Sequence, residues 1–505
     1  MQLTVSYPLS RTRRLLRPTV IPMIMAAIIL LPAMWNGFPF VFPDTGGYLV
    51  PPFTGHLQLG RSALYGAFLA AGSSLDFWPN IVAQALLTAW IVSVLMRTER
   101  FKRPATAVAV IAALCVCTSL PWYAGQLQPD VFLPLSVLAF YLIVFAPSKL
   151  HTWEIVTLAA VVAFSIALHM SIFALLVLLF VFNVAIWAAA RIIALPRPRL
   201  VFAAISIAAG VALAILSNSV IAGVPTLTPG GSFFLFGRLV EDGFVKTYLD
   251  QNCPSAQLSL CKYRDSLPTG SDYWLWGRAS PLVKLGGWRA FAPEGERIVI
   301  GSLLQQPGAH AVAVLKDTLA QLLTVATGEG FDSKDNLNTE LTLKEYAPRT
   351  LLRYSAAAQQ HNAINFGAIN LLHIPLALGA TLLLPFVVAF CWLRQTVTAT
   401  LGLTVCVALL ANAAVSATFS GIHDRYQSRI ASIALLAVVL ACLDLLRVHR
   451  RRGRVSAAKM NGSNGWLRSG DTIRIASCRA ALRNYARANV DRGAAIIGYW
   501  RNKPQ

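Results

Sequence analysis

Long apolar runs recur along this chain, separated by short polar breaks. A helix that crosses a bilayer takes about 20 predominantly apolar residues. Stretches of that character lie near 18–41, 79–96, 104–120, 130–147, 153–169, 171–190, 200–223, 367–392, 396–419 and 428–446, and they predict ten spanning helices. The run RSALYGAFLAAGSSL (61–75) is too short and too punctuated to cross, and predicts an interfacial or re-entrant helix. Residues 225–366 break the pattern. Their scattered charges, Pro/Gly turns and several Trp, without a long apolar run, predict a mixed soluble segment about the size of a small domain. Helical stretches within it, such as 294–326, are expected to pack on the membrane part.

Composition agrees with this pattern. The 505 residues are 56% hydrophobic and only 13% charged, with a mean hydropathy of +0.58. So little charge does not cover a soluble domain of this size, and the fold class is an all-α polytopic membrane protein. A net charge of +21 first raises nucleic acid as a partner. The basic residues, however, fall in short clusters between apolar runs and in the C-terminal tail, which is the placement that membrane orientation requires, so no nucleic acid is expected. Arg11, Arg13, Arg14 and Arg17 precede the first span, and RTERFKR (97–103), Lys149, RIIALPRPR (191–199), Arg394 and RVHRRRGR (447–454) follow the even-numbered ones. The loops at 43–60, 121–129, around 169 and 420–427 are poorer in Lys and Arg.

The expected layout is a cytoplasmic basic N-terminus (1–17), a membrane module of about seven spans (18–224) and an extracytoplasmic segment (225–366). A second membrane module of about three spans (367–446) and a basic cytoplasmic tail (447–505) resting on anionic headgroups complete it. The N-terminus looks like a secretory signal, but its apolar run continues to about Phe42 without a clear cleavage site, so it reads as an uncleaved span of a plasma (inner) membrane protein.

Ionisable residues in such a chain are costly and therefore informative, and they collect on the loops assigned outward. The first loop carries Asp44, Tyr48, His56 and Arg61 in FPDTGGYLVPPFTGHLQLGR. The second, PWYAGQLQPD, holds Trp122, Tyr123, Gln126, Gln128 and Asp130. His169 lies between spans five and six, and GIHDRYQSR brings His423, Asp424, Arg425, Tyr426 and Arg429. GRLVEDG adds Arg238, Glu241 and Asp242. Each has a plain structural reading as well. Asp44 is a turn former, Asp130 a helix cap, His169 a packing residue, and Arg425 and Arg429 are interface anchors. Their convergence on one face favours a site. Cys253 and Cys261 share a polar segment on the side where disulfides persist and are expected to bridge. No His or second Cys pair stands near them, so zinc is rejected.

The motifs FPDTGGY with the following 61–75 helix, LQPDVFLPL and HDRYQSRI resemble those of the GT-C class of integral-membrane glycosyltransferases. Such enzymes carry an acid in the first outer loop before an interfacial helix, a second-loop acid before a span, and a late Arg-Tyr pair. The resemblance covers most of 18–224 and 367–446. It implies transfer of a sugar from a lipid-phosphate-linked donor to a glycan, lipid or protein acceptor on the extracytoplasmic face. Asp44 then serves as catalytic base, with Gly46 and Gly47 giving room for substrate. Arg425, helped by Arg429 or Arg238, binds the phosphate, and His169 and His423 bind phosphate or orient the acid. Trp122 and Tyr123 offer flat faces to a sugar ring or prenyl chain. Tyr48, Arg61, Gln128, Asp130 and Tyr426 complete the expected substrate site. No cofactor or metal is assigned, although Asp44 and Asp130 are a conceivable pair for a divalent ion. Membrane lipids are the remaining partner.

Two other readings stay open. A transporter or flippase places polar groups near mid-span and often repeats its halves, whereas the span middles here are almost free of charge. A non-enzymatic envelope assembly protein has no need of Asp44.

Overall fold

The structure is a computed structural model and describes residues 9–189, 196–253, 256–394 and 396–461. The end of the basic tail, including the GAAIIGYW stretch, and the first eight residues lie outside the described residues. Residues up to Asp444 form one compact unit, which takes in the segments 18–224 and 225–366 and the 367–444 part of the third. Leu445–Gln505 forms a second unit, helical through Asn461 where described.

Helices α1 (Leu9–Asn36), α2 (Thr45–Thr54), α3 (Ala63–Gly72), α4 (Trp78–Thr98), α5 (Pro104–Cys117), α6 (Leu120–Ala124) and α7 (Phe132–Phe145) come first. They are followed by α8 (Thr152–Leu168), α9 (Met170–Ala189) and α10 (Val201–Ala222). The middle of the chain folds as α11 (Phe233–Glu241), α12 (Phe244–Asn252), α13 (Ser271–Trp276), α14 (Pro281–Lys284), α15 (Gly287–Gln305), α16 (Pro307–Leu323), α17 (Leu337–Tyr346) and α18 (Leu351–Ser355). The chain then closes with α19 (Phe366–Leu393), α20 (Ala399–Phe419) and α21 (Asp424–Asn461). Among the described residues there is no strand, only an isolated bridge between Phe40 and Gln126. The mixed character expected of 225–366 is therefore replaced by α-helices and 3-10 turns.

Among the described residues, six helices are long and apolar enough to cross a membrane: α4, α9, α10, α19, α20 and the Asp424–His449 part of α21. Counting the bent pair α15–α16, whose axes turn by 98°, makes seven. This architecture is consistent with a multi-pass helical membrane protein. The windows expected near 18–41, 104–120, 130–147 and 153–169 hold shorter apolar helices, Val20–Asn36, Pro104–Cys117, Pro129–Phe145 and Thr152–Leu168, and the 61–75 run holds another, Ala63–Leu75.

The α7 helix, FLPLSVLAFYLIVF, is apolar on every face and is buried from Phe132 to Val144. A helix of that character belongs in the middle of a bundle. It joins α1, α4, α5, α8, α9, α20 and α21 in one continuous core. A second core gathers Phe233, Phe236, Trp274, Trp288 and Phe291 from α11, α13 and α15, and Cys253 and Cys261 form a disulfide at its edge. Helix α16 packs along α20, yet the bent pair turns Leu304 of α15 and Val312 and Leu315 of α16 outward. That apolar surface sits inside the segment read from sequence as soluble.

The expected first loop is largely helical. Helix α2 follows Asp44 and ends at Gly55, whose φ of +69° is the left-handed conformation that glycine adopts without strain. Helix α17 packs on it. A Cβ at Gly46 would lie 2.8 Å from Thr342 Oγ1, 2.9 Å from Thr339 Cα and 3.0 Å from the Asn338 carbonyl, whereas one at Gly47 would meet only the Arg61 side chain, at 3.4 Å. The space expected for substrate at Gly46 is thus filled by α17. Gly46→Ala is expected to push α17 off the loop and cost about 1–3 kcal/mol, lowering the Tm of the purified protein, while Gly47→Ala, facing a flexible side chain, leaves Tm nearly unchanged.

Candidate functional site

Three chain segments far apart in sequence are lashed together where α1 ends. Beyond Gly37 the chain is extended, and Phe40 donates to the Gly125 carbonyl (2.9 Å) and accepts from the Leu127 amide (2.8 Å). Thr45 Oγ1 donates to the Leu127 carbonyl. These bonds tie the Asp44 segment to the Asp130 segment. The second segment is tied in turn to the start of α21: Ser119 donates to the Ser428 carbonyl, and the Tyr123 hydroxyl lies 2.6 Å from Ser428 Oγ. Residues of the middle region close the remaining side. Gln359 bonds both the amide and the carbonyl of Val41, and Thr339 Oγ1 donates to the Phe42 carbonyl and accepts from the Gly46 amide.

The lashing brings together a cluster of buried charges. Asp44 pairs with Arg61, and Asp130 accepts from Arg429 Nη1 at 2.7 Å. Arg425 stands between the two acids, 3.6 Å from Asp44 and 3.8 Å from Asp130. Both distances exceed the 2.7–2.9 Å of a charge-assisted hydrogen bond. Among the described residues its guanidinium makes no direct hydrogen bond and rests on the Phe42 ring at 4.1 Å. Three guanidinium groups therefore face two carboxylates. Exposure rises outward through the cluster: the side chains of Arg429 and Asp130 are 1% and 2% exposed, Arg425 is 9%, and Asp44 is 23%. Asp44 is the accessible acid. It sits at the N-terminus of α2 but makes no capping bond with its side chain, because its carboxylate is turned to the arginines.

Most residues expected at the site meet here. Tyr48 is buried, with its ring 5.7 Å from the Arg61 guanidinium, and the Tyr426 ring lies beside both Arg425 and Arg429. His169 is joined to Arg429 through Ser171 Oγ, which it contacts at 2.8 Å. Asp130 likewise makes a bond to arginine rather than a helix cap. Trp122 and Tyr123 are engaged by the protein itself. The indole packs on Phe40 and Phe366 with ring centres 5.2 and 5.0 Å away, and the tyrosine hydroxyl is held by Ser428. Arg238 lies in a separate cluster, bound to Glu241, Asp242 and Asp317. Behind the arginines, the amide of Gln126, Nε2 of Gln128 and Gln427, Oδ2 of Asp130 and Nε of Arg429 are buried without hydrogen-bond partners among the described residues. They give this end of the bundle polar groups in excess of what its own packing uses.

The sequence reading missed Glu329, which accepts from the Arg425 backbone amide at 2.7 Å and contacts His423 Nδ1 at 2.9 Å. Nothing in its polar surroundings marks it. It also missed Asn412, which accepts from Arg429 and donates to the Tyr426 carbonyl; a lone Asn inside the apolar 396–419 run was a usable signal. Burial disfavours the His423 imidazolium, but the bond and charge of Glu329 outweigh it and hold the pKa above the ordinary histidine value. Burial likewise works against the Glu329 carboxylate, which His423 and Arg425 nevertheless hold below the usual range. Among the described residues no cluster of three or more His, Cys, Asp or Glu is arranged to hold a metal ion.

No family model, curated protein or solved structure matches the chain, so the functional argument rests on these residues.

The two acids differ in burial and so in what their loss costs. Asp130→Asn strands two buried arginines and is expected to destabilise by about 3–5 kcal/mol, whereas Asp44→Asn, at an acid that keeps contact with solvent, is expected to cost less, about 1–3 kcal/mol, measured as thermal unfolding in detergent. The His423–Glu329 contact depends on pH. A raised histidine pKa contributes stability below its unfolded value near pH 6.5, lost as pH rises through the folded value. A lowered glutamate pKa contributes above its unfolded value near pH 4.5, lost as pH falls through the folded one. The stability gap between wild type and Glu329→Gln is expected to be greatest between those values and to shrink on either side in a series of melts against pH.

Proposed function

We propose that the chain is a membrane glycosyltransferase that moves a sugar from a lipid-phosphate-linked donor to an envelope glycan, lipid or protein acceptor on the extracytoplasmic face. The observation that carries this reading is the position of Arg425, a guanidinium without a direct hydrogen-bond partner beside an accessible carboxylate. In this reading the four shorter apolar helices, Val20–Asn36, Pro104–Cys117, Pro129–Phe145 and Thr152–Leu168, join the six longer ones as ten spans. Both termini are then cytoplasmic, as the positive flanks require, and Ala63–Leu75 lies at the interface. The resemblance of FPDTGGY, LQPDVFLPL and HDRYQSRI to the GT-C class supports the same assignment.

Asp44 takes the proton of the acceptor hydroxyl as that oxygen bonds to the anomeric carbon. The carbon–oxygen bond to the phosphate breaks with its electron pair going to the phosphate oxygen, and Arg425 holds the charge that develops there, with Arg61 in support. Arg429 and Asp130 hold Arg425 in place. The displacement inverts the sugar centre and needs no covalent enzyme intermediate. Gathering of the ionisable residues at one end of the helices, rather than at their middles, favours this reading over transport.

Asp44→Asn is expected to lower transfer about 10²–10⁴-fold with expression retained and the protein still folded at the assay temperature. The assay uses purified protein in vesicles with a polyprenyl-phosphate sugar, alongside mass spectrometry of envelope glycans from producing cells. Normal expression with unchanged glycans would sink the assignment of the base.

A further inference from the structure

A groove of about 730 Å³ opens between α1, α4 and α5, far from the Asp44 cluster. Ile21 on its wall is 15 residues along α1 from Asn36, where the charged site begins, or about 22 Å of helix. The floor is apolar, made of Ile21, Met96, Phe101 and Ala107, and the rim is basic, made of Arg100, Lys102, Arg103 and Lys149. The cations on this rim are only weakly countered from within: buried Glu99 feels the charge of Lys149 and Arg100, and Lys149 Nζ donates to the Thr98 carbonyl at 3.2 Å. Arg97 is bound to Glu154 at 2.6 Å, but Arg100, Lys102, Arg103 and Lys149 make no ion pair among the described residues. The nearest acid in sequence, Glu99, is fully buried and turned to the Tyr141 hydroxyl.

Charges that served only to orient the chain would need no cavity beside them. Here the end of α4 is built to present one. The Phe101 amide bonds back to the Met96 carbonyl, and Arg100 takes φ +67°, the left-handed position at which helices normally use glycine. Arg100 takes on there a local strain that glycine would avoid. The effect is to lift Arg100 out to solvent while Phe101 turns inward as part of the floor.

We propose that this groove binds an anionic phospholipid of the surrounding membrane, with an acyl chain along the floor and the phosphate among Arg100, Lys102, Arg103 and Lys149. An apolar trough under unpaired cations matches an amphiphile with a negative head. A free anion would make no use of the floor, and a neutral lipid would make none of the rim. The inference depends on the chain residing in a membrane and is independent of the reaction proposed for Asp44.

The test is native mass spectrometry of the full-length protein after equilibration with vesicles of phosphatidylcholine and phosphatidylglycerol. Wild type is expected to retain phosphatidylglycerol in preference to phosphatidylcholine. Arg100→Gln/Lys102→Gln/Arg103→Gln together are expected to weaken retention about a hundredfold, the combined worth of three such cations near a membrane surface. Ala107→Phe fills the floor with every charge kept and is expected to abolish retention as well. Arg100→Lys/Lys102→Arg/Arg103→Lys, which keeps every charge, is expected to retain the lipid. Undiminished phosphatidylglycerol on the triple Gln variant, or on a folded Ala107→Phe protein, would overturn the proposal. So would displacement of the lipid by an equal concentration of glycerol phosphate, which would make the groove a site for phosphate alone.

Discussion

A carboxylate and a guanidinium as deeply buried as Asp130 and Arg429 tolerate the loss of water only in each other's company. Desolvating either alone costs several kcal/mol. One enters the core at the start of α7 and the other near the start of α21, separated by 299 residues. The packing of the bundle is therefore bound to one registry of these two helices. Arg425, one turn before Arg429, is carried by the same registry to a point between Asp130 and Asp44. The arrangement of the outer charges follows from the innermost pair.

The same constraint explains why the cluster is graded. Asp130 and Arg429 saturate one another and act as a fixed base. Arg425 is attracted by two acids and bonded tightly by neither, so its donors stay available to a third anion. Asp44 is drawn to Arg61 and left partly in contact with solvent. Glu329 adds a third negative charge that acts on Arg425 through space, but its oxygens bond His423 and a backbone amide, which leaves the Arg425 donors without a direct partner among the described residues.

Much of this was legible in the chain because an apolar sequence makes its ionisable residues conspicuous. Asp44, Asp130, Arg425 and Arg429 stand at the ends of apolar runs, and the structure brings all four together. The reading was weaker wherever polarity is ordinary. Glu329 lies in TGEGFDSKDN, where acids carry no signal, and its role depends on a fold that returns it to α21. Helix α2 was hidden by Pro51 and Pro52, which argue against helix at that point, yet packing of α17 on its small residues holds it. Gly46 was read as room for a ligand because only three dimensions reveal that Thr339 and Thr342 occupy the space. The bent pair α15–α16 escaped the apolar-run criterion because Gln305 and Gln306 interrupt it at the bend.

The clamp of Gln359 on Val41 also has a meaning in time. The amide and carbonyl of Val41 find their partners in a side chain made 318 residues later, and the neighbouring Phe42 carbonyl waits for Thr339. During synthesis at roughly 5–20 residues per second, the segment leading to Asp44 spends on the order of tens of seconds without the native partners of these backbone groups, which bond water meanwhile. Their enclosure becomes possible only when most of the polypeptide has emerged. Assembly of the charged centre is thus a late event in the biogenesis of this protein, so that an incomplete chain lacks its finished site.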